Sequence, residues 1–134
     1  MKKIVTLVMA LVLAAACAKA DLSLKGNSYT AKGAFGTPIV LEFHPTENRV
    51  FGKVVNRYNG PYTIEGNSIK FGMMASTMMM GINADAMKDE QAYFQFLPKV
   101  DRFETKGDTL ILKTADGESM TFTHSGKTEA AGGQ

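Results

Sequence analysis

The sequence predicts an α+β fold, in which a strongly curved antiparallel sheet forms a partial barrel and one helix packs on it. From residue 38 onwards, short runs of alternating apolar and polar side chains are separated by turn residues, which is typical of antiparallel strands. One later segment breaks this period of two and has the spacing of a helix. Strands, a single helix and further strands in this order are typical of an α+β domain.

The first predicted strand, "PIVLEFH", places Ile39, Leu41 and Phe43 on one face, and "VFGKVV" (residues 50–55) is the returning strand. The next residues, "NRYNGP", are predicted to be a loop, because the pair Asn59-Gly60 favours a tight turn.

A second hairpin is predicted in "YTIEGNSIKFG", where Tyr62 and Ile64 face the returning strand across a turn at Gly66. Three more strands follow late in the chain, in "VDRFET", "DTLILKT" and "SMTFTH". The small and polar end, residues 125–134, predicts a disordered tail.

The helix is predicted in "NADAMKDEQAYFQFLP", with Asn83 or Asp85 as its cap and Pro98 as its stop. Glu90 lies within the apolar stripe of this helix, where an unpaired carboxylate would be costly. It is therefore expected either to bind the backbone N–H groups of a loop or to be a functional acid with a raised pKa. The stripe itself consists of Ala86, Met87, Tyr93, Phe94 and Leu97.

Residues 1–20 resemble a secretory signal peptide, with Lys2 and Lys3, an apolar run and small residues at the end. The apolar run is too short for a transmembrane helix, so the protein is predicted to be exported. Two cleavage routes remain open. A cut after Ala20 satisfies the A-x-A rule, whereas small residues before Cys17 resemble a bacterial lipobox and predict lipidation of that thiol. The chain has no second cysteine, so it forms no internal disulfide.

The charge balance gives no reason to expect nucleic-acid binding. The chain has 15 Lys and Arg against 13 Asp and Glu, and a cut after Ala20 removes three lysines and leaves 12 against 13. Proteins that bind nucleic acid need clustered basic residues, which the mature chain lacks.

Five of the nine methionines lie in "FGMMASTMMMG", residues 71–81. Methionine fills irregular cores and lines adaptable apolar grooves. Its thioether is also a ligand for Cu(I) or Ag(I), for which Met78 and Met80 are weak candidates because no His or Cys accompanies them. Core packing, an apolar groove and a soft-metal site therefore all remain open for this segment.

No other motif indicates catalysis or a cofactor. His44 and His124 are predicted to be surface residues at strand ends, without the companions that a zinc site needs. The sequence has no G-x-S-x-G, Walker or dinucleotide-binding pattern.

Roughly residues 24–123 resemble the META domain, or HslJ-like, family. The pieces that carry the resemblance are "GNSY" with Tyr29 where the family usually has Trp, "IVLEF", "RVFGKVVNRYNGPY", "MASTMMMG" and "LPKVDRFETKGDTLIL". The matching positions are Gly52, Asn56, Tyr58, Gly60, Tyr62, Ala75, Thr77, Met79, Glu90 and Phe94. Val55 and Gly81 stand where members often have Cys.

The resemblance implies a helix packed on a strongly curved antiparallel sheet, with no established enzymatic activity. Members include bacterial envelope lipoproteins linked to heat shock and novobiocin resistance, and parasite relatives linked to virulence and motility. The place of Met79 in a recurring motif implies that the methionines of this segment pack beneath the helix. The excess pair, Met78 and Met80, are then the candidates left for a groove or a soft metal.

Two classes of function follow. The first is a non-enzymatic, cofactor-free protein of the periplasm or cell envelope that acts under stress by binding an apolar ligand or another protein. It would touch the membrane only through a lipid on Cys17. The second is a small hydrolase or transferase that uses Glu90 with Tyr58 or Tyr62, which requires Glu90 to be reachable from solvent.

Overall fold

The computed structural model describes residues 24–78 and 83–128. The predicted signal peptide with Cys17, the residues Met79, Met80 and Gly81, and most of the predicted tail lie outside these ranges. The elements in chain order are β1 (Asn27–Lys32), β2 (Pro38–Phe43), β3 (Arg49–Lys53), β4 (Arg57–Glu65), β5 (Ser68–Phe71), β6 (Ala75–Ser76), α1 (Ala84–Phe96), a 3-10 turn (Leu97–Lys99), β7 (Val100–Lys106), β8 (Thr109–Thr114) and β9 (Ser119–Lys127).

Eight of the nine strands form a closed antiparallel barrel, which corrects the prediction of a partial one. The sheet runs β3-β2-β1-β9-β8-β7-β5-β4, and the pairing of β3 with β4 closes the ring. The short strand β6 pairs with the first residues of β4 on the side away from β3, where Tyr58 pairs with Ser76. The joint between β5 and β7 is short, with the register pair Ser68 and Arg102.

The inward-facing side chains of these strands fill the barrel, as is usual for eight strands. Ile39, Leu41 and Phe43 all have no exposed surface, as their alternation predicted. The second hairpin is also confirmed in register, since Tyr62 pairs with Phe71 and Ile64 with Ile69. The described core consists of Leu24, Tyr29, Ala31, Ile39, Leu41, Phe43, Val50, Val54, Tyr58, Tyr62, Ile69, Phe71, Tyr93, Phe96, Leu97, Val100, Phe103, Leu110, Leu112 and Phe122.

Two sequence predictions about local structure are wrong. Asn59 and Gly60 lie inside β4 rather than in a turn, because Tyr58, Gly60 and Tyr62 all face inwards in strand alternation. The reversal lies earlier, between β3 and β4. Residues 125–127, predicted to be part of the tail, instead belong to β9, which continues to Lys127 and pairs with β1 there.

Helix α1 lies across one end of the barrel. The antiparallel order brings the β1–β2, β3–β4 and β8–β9 turns to this end. Asn83 caps the helix by accepting hydrogen bonds from the N–H groups of Asp85 and Ala86, which confirms one of the two predicted caps. Leu97 begins the 3-10 turn that contains Pro98 and leads into β7.

The helix buries a different set of side chains from the predicted stripe. Tyr93 and Leu97 are buried as predicted, whereas Ala86, Met87 and Phe94 are only half-buried. Phe96 and the two acids Asp89 and Glu90 are buried as well. In the part of the chain that the structure describes, no helix is long and apolar enough to cross a membrane.

Candidate functional site

Glu90 holds the helix to the β3–β4 turn. Its Oε2 accepts hydrogen bonds from the backbone N–H groups of Val55, at 2.9 Å, and Asn56, at 2.6 Å. Its Oε1 accepts a third from Nδ2 of Asn56 at 2.9 Å. The residue is only 6% exposed, so these bonds replace the water that the carboxylate loses. The prediction that Glu90 binds loop N–H groups is confirmed.

Asn56 extends this network to the segment before the helix. Its Oδ1 accepts a hydrogen bond from Oγ1 of Thr77 at 2.9 Å. The same hydroxyl oxygen accepts from the backbone N–H of Arg57 at 3.2 Å, and the N–H of Thr77 binds the carbonyl of Arg57. Glu90, Asn56 and Thr77 therefore connect α1, the β3–β4 turn and the end of β6.

A second pair of polar groups lies beneath the helix. The Tyr58 hydroxyl donates to the carbonyl of Val40 at 2.7 Å, and it lies 2.6 Å from the Tyr93 hydroxyl. Because the proton of Tyr58 is used by Val40, Tyr93 is the donor in the second bond. Burial, first of all, raises the pKa of Tyr58 well above its usual value and raises that of Tyr93 too. Both hydroxyls therefore stay protonated at neutral pH.

Two glycines make room for these contacts. A Cβ on Gly52 would lie 1.9 Å from the carbonyl oxygen of Val40 and 2.7 Å from the Tyr58 hydroxyl. A Cβ on Gly60 would lie 2.5 Å from Sδ of Met74, because the β5–β6 connection crosses the strand there. The inward-facing Tyr62 packs edge-to-face on Phe43, with ring centroids 5.3 Å apart.

Asp89 forms a matching contact with the β1–β2 turn that the sequence did not reveal. Its carboxylate accepts hydrogen bonds from the backbone N–H groups of Phe35, at 3.1 Å, and Thr37, at 3.2 Å. The Nζ of Lys88 lies 5.6 Å above the ring of Phe35 and ties the same turn to the helix. Consecutive acids on the helix thus bind two separate turns at the barrel end.

Replacing Asp89 by asparagine is expected to make the free energy of unfolding less dependent on pH in the acidic range. Burial raises the pKa of the Asp89 carboxyl, but hydrogen bonds from the Thr37 side chain and the turn backbone outweigh it and lower the pKa below 3.8. Because the pKa of Asp89 is lower in the folded than in the unfolded protein, the ionised carboxylate stabilises the fold. This contribution is complete above the unfolded-state pKa and is lost as the pH falls through the folded-state pKa. The difference in unfolding free energy between the protein and Asp89→Asn should therefore shrink below about pH 4. Urea unfolding at pH 7 and pH 3 measures it, and an unchanged difference would contradict the prediction.

Gly33 and Asp89 are expected to be coupled in a double-mutant cycle. A Cβ on Gly33 would lie 2.3 Å from Cγ of Asp89, so Gly33→Ala should cost about 1–3 kcal/mol by overpacking. Asp89→Ala should cost a similar amount, about 1–3 kcal/mol, because turn N–H groups lose their acceptor. The double variant should cost less than the sum, since the second change removes the clash. Additive costs in urea unfolding would show that the two side chains act separately.

An open apolar groove lies beside this helix. It has a volume of about 450 Å³ and separates the β5–β6 connection from α1 and the 3-10 turn. Its lining consists of Phe71, Gly72, Met73, Met74, Ser76, Phe94, Leu97 and Pro98. The volume falls in the range of small-molecule sites, and most of the lining side chains are apolar.

The methionines divide between this groove and the surface. Met74 is half-buried against the core, which agrees with packing near the helix. Met73 is 91% exposed, so the expectation that the methionines of this segment pack beneath the helix is wrong for this residue. Met78, a predicted candidate for a groove or a soft-metal site, is also 91% exposed and is not among the lining residues of the groove. The backbone of this segment lies against β4, where the carbonyl of Met73 and the sulfur of Met74 approach Gly60, so Met74 packs inwards and the Met73 side chain faces solvent. The pair Met78 and Met80 stays a weak prediction for soft metals, since Met80 lies outside the described residues.

Neither histidine belongs to a metal-binding group in the described ranges. His124 is exposed at β9, with Nε2 2.9 Å from Oδ1 of Asn27. His44 is half-buried, and its Nδ1 accepts hydrogen bonds from the N–H groups of Thr46 and Glu47. Residues 24–78 and 83–128 contain no group of three His, Cys, Asp or Glu that could hold a metal ion.

Comparisons with known proteins agree with this architecture. An NMR structure of a protein from Burkholderia xenovorans superposes with a TM-score of 0.62 and 24% identity, covering 76% of this chain and 83% of that one. A second NMR structure has a TM-score of 0.62 and 17% identity, covering 75% and 91%. A crystal structure of a DUF4847 family protein from Bacteroides vulgatus has a TM-score of 0.54 and 10% identity, covering 78% and 96%. At these identities the likeness shows the fold alone.

No curated protein matches the chain. A family model, however, covers almost all of the described barrel and includes Gly52, Asn56, Tyr58, Thr77 and Glu90. In the structure these five positions form the contacts that hold α1 over the barrel end. The model is that of the META domain and matches residues 21–127, so the chain belongs to the META domain family.

Proposed function

We propose that this chain is a non-enzymatic binding protein of the bacterial cell envelope, and that its site is the apolar groove between the β5–β6 connection and α1. The observation that carries the proposal is the groove itself: an open, apolar site of about 450 Å³ beside an otherwise filled barrel. Its ligand is a small apolar molecule, or an apolar part of a larger one.

Export of the protein rests on the sequence of residues 1–20, which has a basic start, an apolar run and an A-x-A end. Cleavage before Cys17 would leave a lipid anchor, and cleavage after Ala20 would release the protein into the periplasm. The proposed role in maintaining the envelope under stress comes from the resemblance to HslJ-like proteins.

The polar residues at the barrel end support a binding rather than a catalytic role. The enzyme hypothesis needs Glu90 in contact with solvent, but its carboxylate is buried and holds three N–H donors. The Tyr58 hydroxyl is buried with Tyr93, and Tyr62 lies among core aromatic rings. These contacts position the helix that forms one wall of the groove.

The test is a titration of the chain from residue 21 onwards, labelled with ¹³C at the methionine methyl groups, with the uncharged apolar probe N-phenyl-1-naphthylamine. We expect the methyl signals of Met73 and Met74 to shift, because both residues line the groove. The signal of Met120 should stay in place, since its half-buried side chain packs on the barrel strands.

Two variants of equally exposed methionines provide the matched control. Met73 and Met78 are both 91% exposed, but only Met73 is among the lining residues of the groove. Met73→Gln should lower the affinity for the probe roughly fivefold, since about 1 kcal/mol of apolar contact free energy is lost. Met78→Gln should leave the affinity unchanged. Equal effects of the two variants, or shifts at Met120 alone, would contradict binding in the groove.

A further inference from the structure

We infer that Met73 is an oxidation site through which a two-electron oxidant, such as a peroxide or hypochlorous acid, switches the groove from apolar to polar. The inference rests on the proposed function, because it names a regulation of the same groove.

The first observation is the exposure of the Met73 side chain. Met73 and Met78 are 91% exposed, and with Phe35 they are the large apolar side chains that the described residues present to solvent. Methionine is normally among the buried residue types, so this exposure is unusual. Susceptibility of a thioether to oxidation increases with its accessibility. The described residues contain no cysteine, so methionine is the sulfur that an oxidant meets there.

The second observation is the position of Met73 at the groove. Met73 and its neighbour Met74 both line it, opposite Phe94 and Pro98. Met74 is half-buried, and its sulfur packs against Gly60. Met73 therefore combines full access for the oxidant with contact to a bound ligand, whereas Met78 has the access without the contact.

The reaction is an oxygen transfer. The sulfur lone pair of Met73 attacks one oxygen of hydrogen peroxide, a sulfur–oxygen bond forms, and the O–O bond breaks. The proton on the transferred oxygen moves to the other peroxide oxygen, which leaves as water. The sulfur loses two electrons and the peroxide gains them. A thiol-dependent methionine sulfoxide reductase reverses the change by forming a disulfide and releasing the oxygen as water.

The sulfoxide changes the groove without disturbing the barrel. Its oxygen is a strong hydrogen-bond acceptor and is hydrated when the groove is empty. An apolar ligand would displace this water without offering a hydrogen bond in its place, so its binding would be weaker. Since the Met73 side chain is almost fully exposed, it makes few contacts that the fold needs. Oxidation is therefore expected to weaken ligand binding while leaving the unfolding transition in place.

The experiment oxidises the chain from residue 21 onwards with limited hydrogen peroxide and follows each methionine by its ¹³C methyl signal and by fragment mass spectrometry. We expect Met73 and Met78 to be oxidised about tenfold or more faster than Met120. The affinity for N-phenyl-1-naphthylamine should then fall about fivefold or more in the oxidised protein.

Two leucine variants separate the groove methionine from the other exposed one. Met73→Leu removes the sulfur, so the affinity that this variant has for the probe, whatever its value before oxidation, should be the same after oxidation. Met78→Leu should lose binding as the unaltered protein does. Equal oxidation rates for Met73 and Met120, or a fall in the affinity of Met73→Leu on oxidation as large as that of the unaltered protein, would overturn the inference. If the unoxidised protein fails to bind the probe, the proposed function itself fails, whatever the oxidation rates are.

Discussion

Replacing Glu90 by alanine is expected to lower the free energy of unfolding by about 3–5 kcal/mol, because several buried donors lose their acceptor at once. The N–H groups of Val55 and Asn56 and the Asn56 amide all bind this carboxylate. Water cannot replace it fully, since Asn56 is only 4% exposed. Urea unfolding of the chain from residue 21 onwards, followed by circular dichroism, measures the loss.

The neighbouring Gln91 provides the control, because it is exposed on the same helix turn. Gln91→Ala should change the stability by less than about 0.5 kcal/mol. The cost of Glu90→Gln should lie between the costs of these two changes, since glutamine keeps one acceptor oxygen but places an NH₂ group next to N–H donors. A cost for Glu90→Ala no greater than that of Gln91→Ala would show that the helix is held by its apolar side chains alone.

The role of Glu90 was predictable because its position in the helical pattern already shows that it is buried and therefore needs hydrogen-bond donors. An acid within an apolar helical stripe has to find donors, and the nearest donors in a sheet protein are the N–H groups of turns. The strands of the second hairpin were predictable for a similar reason. The positive φ of Gly66, at 61°, and the alternation on both sides fix the register locally.

The β3–β4 turn was not predictable because the residues that determine its position lie far along the chain. Asn59-Gly60 resembles a hairpin turn, but Gly60 is required where the β5–β6 connection crosses β4. The actual turn is stabilised by Glu90, whose partner Asn56 is 34 residues away. Closure of the barrel depends in the same way on the pairing of β1 with β9, which no local pattern reveals.

Asp89 and the groove show the same limit at the candidate site. Asp89 precedes Glu90 and looks like any exposed helix acid, because its partners Phe35 and Thr37 lie in a turn without a distinctive motif. The methionine cluster indicated a groove as one of several options. Its walls, however, come from β5, α1 and the 3-10 turn together, so only the tertiary structure separates Met73 from Met78.

Gly52→Ala is expected to lower the free energy of unfolding by about 3 kcal/mol, although it adds a single methyl group. The new Cβ would lie 1.9 Å from the Val40 carbonyl oxygen and 2.9 Å from Cζ of Tyr58. Either β2 and β3 separate or the Tyr58 ring moves, and both changes break the bond between the Tyr58 hydroxyl and Val40. Gly66→Ala is the comparison, since that position has a positive φ but open space around it. Its cost should be about 1 kcal/mol, from backbone strain alone.

A cycle with Tyr58→Phe tests the mechanism of this loss. In the unaltered protein, removing the hydroxyl leaves the Val40 carbonyl and the Tyr93 hydroxyl without this partner, and it should cost about 1–2 kcal/mol. In the Gly52→Ala background the same change should cost almost nothing, because the methyl group has already displaced the hydroxyl. Full additivity in urea unfolding would mean that the Tyr58 hydroxyl keeps its bond to Val40 in Gly52→Ala, which would contradict this mechanism. The non-additive result would place Gly52, Tyr58 and Tyr93 in one unit beneath the helix, in which the glycine directly opposite Tyr58 leaves room for the hydroxyl to reach Val40.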